Sequence, residues 1–345
     1  MNELTLKDQV SIDEWDTFVS AHRTGTIFHA TPWLETLRRN QGGTLLRLGF
    51  YQGAELVGLL PLIVKKLGPL RVAASPFTVE DTPYLGFVLD RVHLDASLAA
   101  VVDFQRRSRI HFLRLLQRED LEPASFEHNG FTAIRKHTHI LDLSKSEDEI
   151  WKGFEGRCRT HVRKAEKEGV EIKEIHERDF LDTYYDMIDR LYRRQALKNP
   201  NCRQFYLDLW DAFARTNLTI FAAIKDQKCI AAAIFVHERD RYYYLNGTSL
   251  SEYNHLCANN LIQWTAIKHA KSCGAFFFDF VGSDIPRLAK FKKSFGGELV
   301  VYTCLERPSA KWVSLLRNQF TRYKGLIGRI ARFAKGKIRG GAIER

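Results

Sequence analysis

The sequence predicts an α/β (α+β) fold made of two similar tandem domains, each with a mixed β-sheet flanked by helices, and a basic C-terminal helix. Three observations lead to this prediction. The two halves of the 345-residue chain carry the same order of elements at an offset of about 165 to 173 residues. In each half a β-hairpin precedes an amphipathic helix and a further strand, as in layered α/β structures. Basic residues concentrate at the C-terminal end, where ten lysines and arginines accompany Glu344 as the one acidic residue between Lys311 and Arg345.

Composition places the chain among ordinary globular proteins. It is 45% hydrophobic and 27% charged, which excludes collagen-like, disordered and small disulfide-rich proteins. The longest uncharged apolar stretch near the start, residues 56–64, is far shorter than the roughly 20 residues of a bilayer-spanning helix. Acidic residues at the N-terminal end, instead of a basic and then an apolar region, predict no secretory signal and a cytoplasmic location. The six cysteines show no CxxC or Cys/His spacing, so we expect neither a metal site nor a permanently bound cofactor.

The repeated elements follow one another in the same order in both halves. The first half has two hairpin strands, an amphipathic helix, a strand and a last strand, at residues 45–51, 56–64, 94–107, 110–116 and 133–143. The second half repeats them at residues 218–224, 229–236, 258–271, 275–281 and 298–305. A polar linker at 144–149 joins the halves and is expected to cap a helix that begins near Ile150. We therefore expect an N-terminal domain at 1–143, a C-terminal domain at 144–308 and a basic amphipathic tail at 309–345.

Five local motifs, together with this order of elements, resemble one superfamily. They are FHATPWLETL with Phe28 and Trp33, RCRTHVRKAEKEGV from Arg157, YYYLNGTS from Tyr242, NNLIQWTAIKHAKSCG from Asn259, and FDFVG with FKKSFGGE between Phe278 and Glu298. Over residues 12–305 the chain is similar to the FemABX-like and BioF2-like acetyltransferases, which consist of two tandem GNAT-like acyltransferase domains. The resemblance implies transfer of an acyl or aminoacyl group from an activated carrier to an amine of a cell-envelope precursor or lipid. It also implies that the second domain carries the catalytic site.

The segment around Lys292 contains the strongest candidate for this chemistry. Phe291, Lys292 and Lys293 precede a Gly-Gly turn into the last strand, and a cation there would stabilise the oxyanion formed when an amine attacks a carbonyl. By resemblance, Phe291 contacts the acyl donor and Lys292 the developing charge, whereas Lys293 is expected to be solvated. Asp279 interrupts an apolar strand, and alternation places it opposite Phe278. Asp279 is expected either to hold a loop or to act as a general base for the amine.

A tyrosine-rich strand is the next candidate. Tyr242, Tyr244 and Asn246 alternate along it and are expected to share one face. The resemblance implies that this strand flanks the acyl-transfer cleft, where hydroxyl and amide groups would orient a carbonyl. The alternative is an ordinary half-buried strand.

The expected donor site departs from that of acetyl-CoA enzymes. Their pyrophosphate loop has an Arg or Gln and small residues at a helix start, whereas residues 254–260 contain neither Gly nor Arg. Asn259 and Asn260 remain candidates for anion binding at a helix N-terminus. The sequence therefore leaves the donor open among acyl-CoA, an acyl-carrier protein and aminoacyl-tRNA.

Basic residues cluster between Arg157 and Lys167. Arg159 and Arg163 are one helical turn apart and share a face, so they are predicted to hold a phosphate-bearing substrate. The alternative is an exposed helix whose charges form pairs at a spacing of four residues.

The tail has apolar residues at steps of three and four, with cations between them. These residues are Trp312, Leu316, Phe320, Tyr323, Ile327, Ile330 and Phe333. Such a stripe is typical of a helix in the bilayer interface, which predicts a peripheral protein on the anionic inner membrane face. Two alternatives are packing of 312–320 on the second domain with a disordered remainder, and binding of the tail to tRNA. The alternative function is a non-catalytic, membrane-docked adaptor of envelope or polysaccharide synthesis with a degenerate GNAT fold.

Overall fold

The computed structural model describes residues 4–77, 82–317 and 319, and within them helices cover both faces of one large mixed β-sheet. The predicted α/β (α+β) class is therefore confirmed. The helices are α1 (Ile12–Ala21), α2 (Thr31–Gln41), α3 (Leu94–Arg107), α4 (Glu147–Gly153), α5 (Gly156–Lys167), α6 (Phe180–Arg194), α7 (Arg203–Phe213), α8 (Ala258–Ser272) and α9 (Pro286–Lys293). The strands are β1 (Leu4–Lys7), β2 (Thr44–Gln52), β3 (Glu55–Leu67), β4 (Leu70–Ser75), β5 (Val88–Leu89), β6 (Phe112–Gln117), β7 (Thr132–Asp142), β8 (Glu171–Glu174), β9 (Leu218–Lys225), β10 (Lys228–Glu238), β11 (Arg241–Ser249), β12 (Phe277–Asp279) and β13 (Glu298–Pro308).

The sheet is continuous through both halves, which corrects the expectation of a separate sheet in each domain. Its 13 strands follow the order β1-β2-β3-β4-β6-β13-β7-β12-β11-β10-β9-β8, with β5 beside β3. On each side an antiparallel meander ends in a parallel pair, β4 with β6 and β11 with β12. The order of strands is thus the same when read inward from either edge, as the repeated elements of the sequence suggest.

The last strand of each half is inserted beside strands of the other half. β13 pairs with β6 from Thr303 to Pro308 and with β7 from Glu298 to Glu306. β7 also pairs with β12, where Asp279 lies opposite Ile140. A boundary at residue 143 therefore separates β7 from both of its neighbours in the sheet. The separate sheets were expected because sequence patterns show where strands are, but not which strands pair over long distances.

Three buried apolar clusters hold the helices on the sheet. One cluster lies on a face shared by both halves and includes residues of α1, α2, α6 and α7, while α3 and α8 each belong to a cluster of their own half. The centroid of the Phe28 ring lies 4.9 Å from that of Trp33 and 4.9 Å from that of Tyr243. Phe28 of the first half is thus packed directly against β11 of the second.

The linker between the halves begins a helix as predicted, but three residues earlier. Ser146 is the N-cap of α4 and forms a reciprocal capping box with Glu149. Such a box satisfies two of the N–H groups that a helix start leaves unpaired. It therefore fixes α4 directly after β7.

The described part of the C-terminal tail contacts both halves. Residues 311–317 are helical, Val313 is buried, and the Trp312 ring lies 6.0 Å from that of His111. Arg317 bonds Glu306 at 2.5 Å and lies 5.0 Å from the Phe112 ring. His111 and Phe112 belong to the first half and Glu306 to the second, so packing on the second domain accounts for only part of the contacts of this segment. The predicted stripe from Phe320 onward lies outside the described residues.

Candidate active site

β11 and β12 run side by side for a short distance and then separate. Three residue pairs join residues 241–243 to residues 277–279 in parallel. β12 ends at Asp279, whereas β11 continues to Ser249 along β10. The strands therefore diverge after Tyr243, and we refer to the space beyond this point as the β11–β12 opening.

A β-bulge in β11 lies at the opening. Phe235 of β10 pairs with Tyr244, and Ile234 pairs with Asn246, so the register skips Leu245. Residues paired across strands share a face, and an extra residue changes the alternation after it. Asn246 is consequently on the opposite face from Tyr244. The prediction that it shares a face with both tyrosines is wrong, because a bulge has no signal in the alternation.

Tyr242 and Tyr244 share a face but have different surroundings. Tyr242 is fully buried, with its hydroxyl 3.1 Å from Nδ1 of His269 and its ring stacked on Phe278, so the structure makes it a core residue instead of a substrate contact. Tyr244 is half-buried, and its ring centroid lies 5.9 Å from Nζ of Lys292. Burial raises the pKa of Tyr244 to about 12. Its phenol is therefore protonated and able to donate at neutral pH.

Lys292 enters the opening from α9 and is the buried residue of that helix. Its side chain donates to the carbonyl oxygens of Val281 and Gly282, and the residue is 6% exposed. These bonds use two of the three N–H groups of an ammonium. One N–H is left without a partner among the described residues and is available to a substrate atom. Lys293 is exposed, in agreement with its expected solvation.

The charge of Lys292 depends on pH in the physiological range. Burial lowers the pKa of the Lys292 ammonium to about 8, and the carboxylates of Asp279 and Asp284 oppose this shift. Most of the side chain is therefore protonated at neutral pH, and a buried cation stabilises an oxyanion more strongly than a hydrated one does. A lysine with a lowered pKa can instead accept a proton when it is neutral. The two roles give opposite pH dependences.

Asp279 is fully buried and faces away from Phe278, as alternation predicts. Its carboxylate accepts hydrogen bonds from the Tyr84 hydroxyl at 2.9 Å, the Thr138 hydroxyl at 2.7 Å and the Val281 N–H at 2.8 Å. Three donors stabilise the charged form of a buried carboxylate. Asp279 has no exposed surface from which to reach an incoming amine, so the geometry supports the loop-holding role and not the general base.

The loop after β12 has an unusual backbone. Val281 has φ of +50° and Gly282 has φ of +57°. Glycine adopts this left-handed region freely, but a β-branched residue is a genuine outlier there. Such a conformation persists where surrounding contacts determine it. Here those contacts are the Asp279 carboxylate on the Val281 N–H and the Lys292 ammonium on both carbonyls.

Phe291 is half-buried beside Lys292. Its ring lies edge-on to Phe295, with centroids 5.2 Å apart. This packing fixes the end of α9 on the second-half core. The donor contact that the resemblance implies for Phe291 remains a prediction.

The start of α8 lies next to the end of β11. The Asn259 amide donates to the hydroxyl of Ser249 at 3.3 Å, while Asn260 is buried with its amide 3.7 Å from the Cys158 sulfur. The N-cap residue Cys257 gives the first turn no side-chain hydrogen bond. A helix start without a cap favours a bound anion. Asn259 therefore fits the predicted role, whereas Asn260 belongs to the contact between α8 and α5.

Two cations of α5 lie near this helix start. Arg157 and Lys164 both act electrostatically on Cys257 and on His161. They are seven residues apart, which places them on the same helix face. Both side chains are exposed, and the Arg157 guanidinium donates to Nε2 of His161 at 3.5 Å.

The predicted pair Arg159 and Arg163 points elsewhere. The Arg159 guanidinium donates to the carbonyl oxygens of Lys152, at 2.9 Å, and Phe154. Arg163 lies 5.5 Å from the ring centroid of Trp151. Both arginines therefore contact α4. The Arg159 guanidinium is engaged by carbonyl oxygens there, and the predicted phosphate contact of Arg163 stays a prediction. On this face Arg159 is half-buried, whereas Arg163 is exposed.

Sequence reasoning did not single out Tyr84, Thr138 or Val281. All three contact Asp279, and Tyr84 and Thr138 come from the first half. Their motifs carry no signal that specifies a contact 195 residues away in the chain, as between Tyr84 and Asp279. A buried carboxylate in an apolar strand does indicate that donors must exist.

Comparisons with known proteins agree with this arrangement. Residues 153–293 match the family model described as an acetyltransferase (GNAT) domain. A Staphylococcus aureus protein named lipid II:glycine glycyltransferase is 22% identical over 368 aligned residues, covering 81% of this chain and 85% of that protein. The crystal structure of FemX matches with a TM-score of 0.67 and 19% identity, covering 87% of this chain and 96% of FemX. A tandem GNAT protein from the clavulanic acid biosynthesis pathway matches with a TM-score of 0.55 and 10% identity, covering 89% and 99%.

The fold and the matched domain define an N-acyltransferase of the GNAT class, and the β11–β12 opening with Lys292 lies within the matched residues. The similarity to FemX and to the glycyltransferase extends over both halves. The predicted resemblance to FemABX-like tandem GNAT proteins is therefore confirmed. The BioF2-like part stays a prediction.

Proposed function

We propose that this protein transfers an aminoacyl group from aminoacyl-tRNA to an amine of a lipid-linked cell-envelope precursor. The observation that carries the proposal is the buried Lys292 ammonium at the β11–β12 opening, with one N–H left for a substrate. The name of the glycyltransferase relative supports an aminoacyl donor and lipid II as the acceptor.

The reaction begins when the neutral amine of the acceptor attacks the carbonyl carbon of the aminoacyl ester. The carbon–nitrogen bond forms, and the carbonyl oxygen becomes an oxyanion that accepts the free N–H of Lys292. Collapse of this intermediate breaks the ester bond to the carrier, and the proton lost by the amine ends on the leaving hydroxyl. Because donor and amine are held together, proximity supplies much of the rate.

The donor would bind along β11 toward the start of α8. There Asn259, Arg157 and Lys164 surround a helix N-terminus that favours phosphate. Cations that neutralise phosphates make tRNA binding strongly dependent on salt. Acyl-CoA and an acyl-carrier protein also carry phosphate, so the donor is the part of this proposal that needs a direct assay.

The acceptor would lie where the first half meets the opening, and we place the protein at the inner membrane face. None of the helices in the described residues has the length and apolar character to cross a bilayer. Attachment would instead come from the basic C-terminal tail, since each Lys or Arg near an anionic surface adds roughly 1 kcal/mol. Truncation after residue 308 should abolish cosedimentation with vesicles of phosphatidylglycerol and phosphatidylcholine. Undiminished sedimentation would exclude the tail as the anchor.

The test of the activity is transfer of radiolabelled glycine from glycyl-tRNA to purified lipid II by the full-length protein. Parallel reactions contain acetyl-CoA or a long-chain acyl-CoA as the donor, and the Lys292→Ala variant is the control for contaminating activity. Labelled lipid II that depends on Lys292 would support the proposal. Transfer from acyl-CoA alone would reassign the donor. If the folded protein neither transfers nor binds any of these donors, the adaptor alternative replaces the enzyme.

A further inference from the structure

Tyr84 connects the first half of the chain to the loop that holds Lys292. It lies between β4 and β5 and is 2% exposed. Its hydroxyl donates to the Asp279 carboxylate at 2.9 Å, across 195 residues of sequence. Its ring packs edge-on against Tyr302 of β13, with centroids 5.1 Å apart. The phenol is thus fixed at both its ring and its hydroxyl.

Tyr84 donates to one carboxylate oxygen of Asp279, and the other oxygen accepts a hydrogen bond from the loop after β12. Oδ2 of Asp279 accepts from Tyr84, whereas Oδ1 accepts from Thr138 and from the Val281 N–H. The side chain of Asp279 can rotate about its bond to the backbone unless both ends are held. Tyr84 therefore sets the orientation in which the other oxygen reaches Val281.

The orientation of Val281 decides where Lys292 lies. Val281 has a left-handed backbone that costs free energy and needs external support. The Asp279 carboxylate supplies that support through the Val281 N–H. The carbonyl oxygens of Val281 and Gly282 then hold the ammonium of Lys292. A displacement of this turn therefore moves Nζ.

We propose that Tyr84 is a positioning residue for acyl transfer, acting through the Asp279 carboxylate and the Val281–Gly282 turn on the ammonium of Lys292. The first half thereby contributes to the chemistry of the second half as well as to the sheet. This inference rests on the proposed function for its kinetic arm, but its structural arm needs no substrate.

The test compares Tyr84→Phe with Tyr51→Phe. Tyr51 is 3% exposed and donates to the Glu14 carboxylate at 2.9 Å, so both substitutions remove one hydroxyl bonded to a carboxylate at the same distance. Tyr84→Phe should lose more thermal stability than Tyr51→Phe, because Asp279 is buried whereas water can replace the lost bond at the exposed Glu14. The pKa of Lys292 should differ between the two variants, because only Tyr84 contacts Lys292 through Asp279 and the Val281–Gly282 turn.

The structural arm measures the acetylation of Lys292 by acetic anhydride as a function of pH, read by mass spectrometry, with the exposed Lys290 as the reference for reagent dose. In the unmodified protein the midpoint should lie near the Lys292 pKa of about 8. In Tyr84→Phe the turn loosens, the ammonium gains water and the midpoint should rise, while Tyr51→Phe should leave it unchanged. An unchanged midpoint in Tyr84→Phe overturns the inference, whether or not the proposed function is correct.

The kinetic arm uses the glycyl-tRNA and lipid II assay. Tyr84→Phe should lower kcat on the order of 10-fold with little change in KM, because a misplaced catalytic group costs rate and not binding. In the Lys292→Ala background the same substitution should have no further effect. Equal losses in both backgrounds, or a full kcat in Tyr84→Phe, would overturn the inference. If Tyr84→Phe does not fold, Thr138→Val removes another donor to the same carboxylate and should shift the midpoint in the same direction.

Discussion

The two halves have the same strand order but differ at the junction between their parallel strands. In the first half, residues 84–87 lie in the junction of β4 and β6. The Leu85 N–H donates to the Leu116 carbonyl at 3.1 Å, and the Gln117 amide bonds the N–H of Phe87 at 2.7 Å and its carbonyl at 3.3 Å. In the second half, the corresponding space beyond β11 and β12 holds the side chains of Lys292 and Tyr244 instead.

This difference shows how a duplicated scaffold can separate stability from chemistry. A backbone segment that satisfies its own hydrogen bonds inside a junction fills it and stabilises it. A junction that holds the side chains of Lys292 and Tyr244 places functional groups there instead. Backbone therefore occupies the junction of the first half, whereas side chains of Lys292 and Tyr244 lie at the corresponding point of the second half. The predictions below test this contrast.

The largest effect is expected at Lys292. Lys292→Ala should lower kcat by a factor of about 100 or more, because it removes the cation that faces the oxyanion. Lys293→Ala, which removes the exposed neighbouring cation, is the matched control and should retain nearly full activity. Steady-state kinetics with glycyl-tRNA and lipid II measure both. A near-normal kcat for Lys292→Ala would exclude Lys292 as the group that stabilises the oxyanion.

The pH dependence of kcat tests which form of Lys292 is active. The charged groups that act on Lys292 are Asp279 and Asp284, while burial and the cations of Lys292 and Lys293 lower the pKa of the neighbouring His139, which is neutral in this range. If the ammonium stabilises the oxyanion, kcat is at its plateau below pH 8 and falls as pH rises through 8, by roughly 10-fold at pH 9. If the neutral amine is a general base, kcat rises over the same interval. Single-turnover rates from pH 6.5 to 9.5 distinguish these outcomes.

Two glycine substitutions compare the junctions directly. A Cβ at Gly247 would meet the Tyr244 hydroxyl, which can swing away, so Gly247→Ala should lower kcat about 10-fold and leave the fold intact. A Cβ at Gly86 would meet the Gln117 amide oxygen and, at 2.8 Å, the Leu116 carbonyl oxygen. Because backbone cannot yield as easily, Gly86→Ala should lower the free energy of unfolding by about 1–3 kcal/mol while kcat is kept.

Denaturant unfolding and kinetics on the same preparations give both quantities. Gly153→Ala is the control for a helix glycine in open space and should change neither. A loss of activity without a loss of stability in Gly86→Ala would contradict the contrast between the junctions.

The smallest effect is expected at the donor site. Arg157→Gln combined with Lys164→Gln should raise KM for charged tRNA roughly 3- to 10-fold and reduce the slope of log affinity against log salt by about 2. Arg163→Gln combined with Lys152→Gln makes the same charge change on the α4 side and should leave the slope nearly unchanged. Equal slopes in the two double variants would exclude a specific phosphate site at α8.

Local patterns predicted much of the fold and part of the site. Helix α3 has the predicted bounds, and β9, β10 and α8 differ from their predictions by a few residues at most, because amphipathic spacing and turn residues mark their ends. Lys292 was singled out because it lies in a motif that matches the family, and its catalytic role stays a prediction. α6 was missed although Leu181, Tyr184 and Ile188 show helical spacing and are buried.

What the sequence did not predict depends on contacts between distant residues. The insertion of β13 between β6 and β7 involves strands whose local patterns fit several partners equally well. The bulge at Leu245 changes which side chains face the opening, yet nothing in the run of tyrosines indicates it. The contacts of Arg159 and Arg163 with α4 were not predicted, because helical spacing shows that two residues share a face but not which element lies beside it.

The reciprocal insertion of β7 and β13 has a consequence for how the chain acquires its shape. A fragment ending at residue 143 carries β7 without either of the strands that flank it, and the complementary fragment carries β13 in the same condition. Such fragments should aggregate alone and complement each other when they are refolded together. In the intact chain, the pairing of β6 with β13 joins residues about 190 positions apart in sequence. Contacts between such distant residues form slowly, so we expect the centre of the sheet to form late in folding.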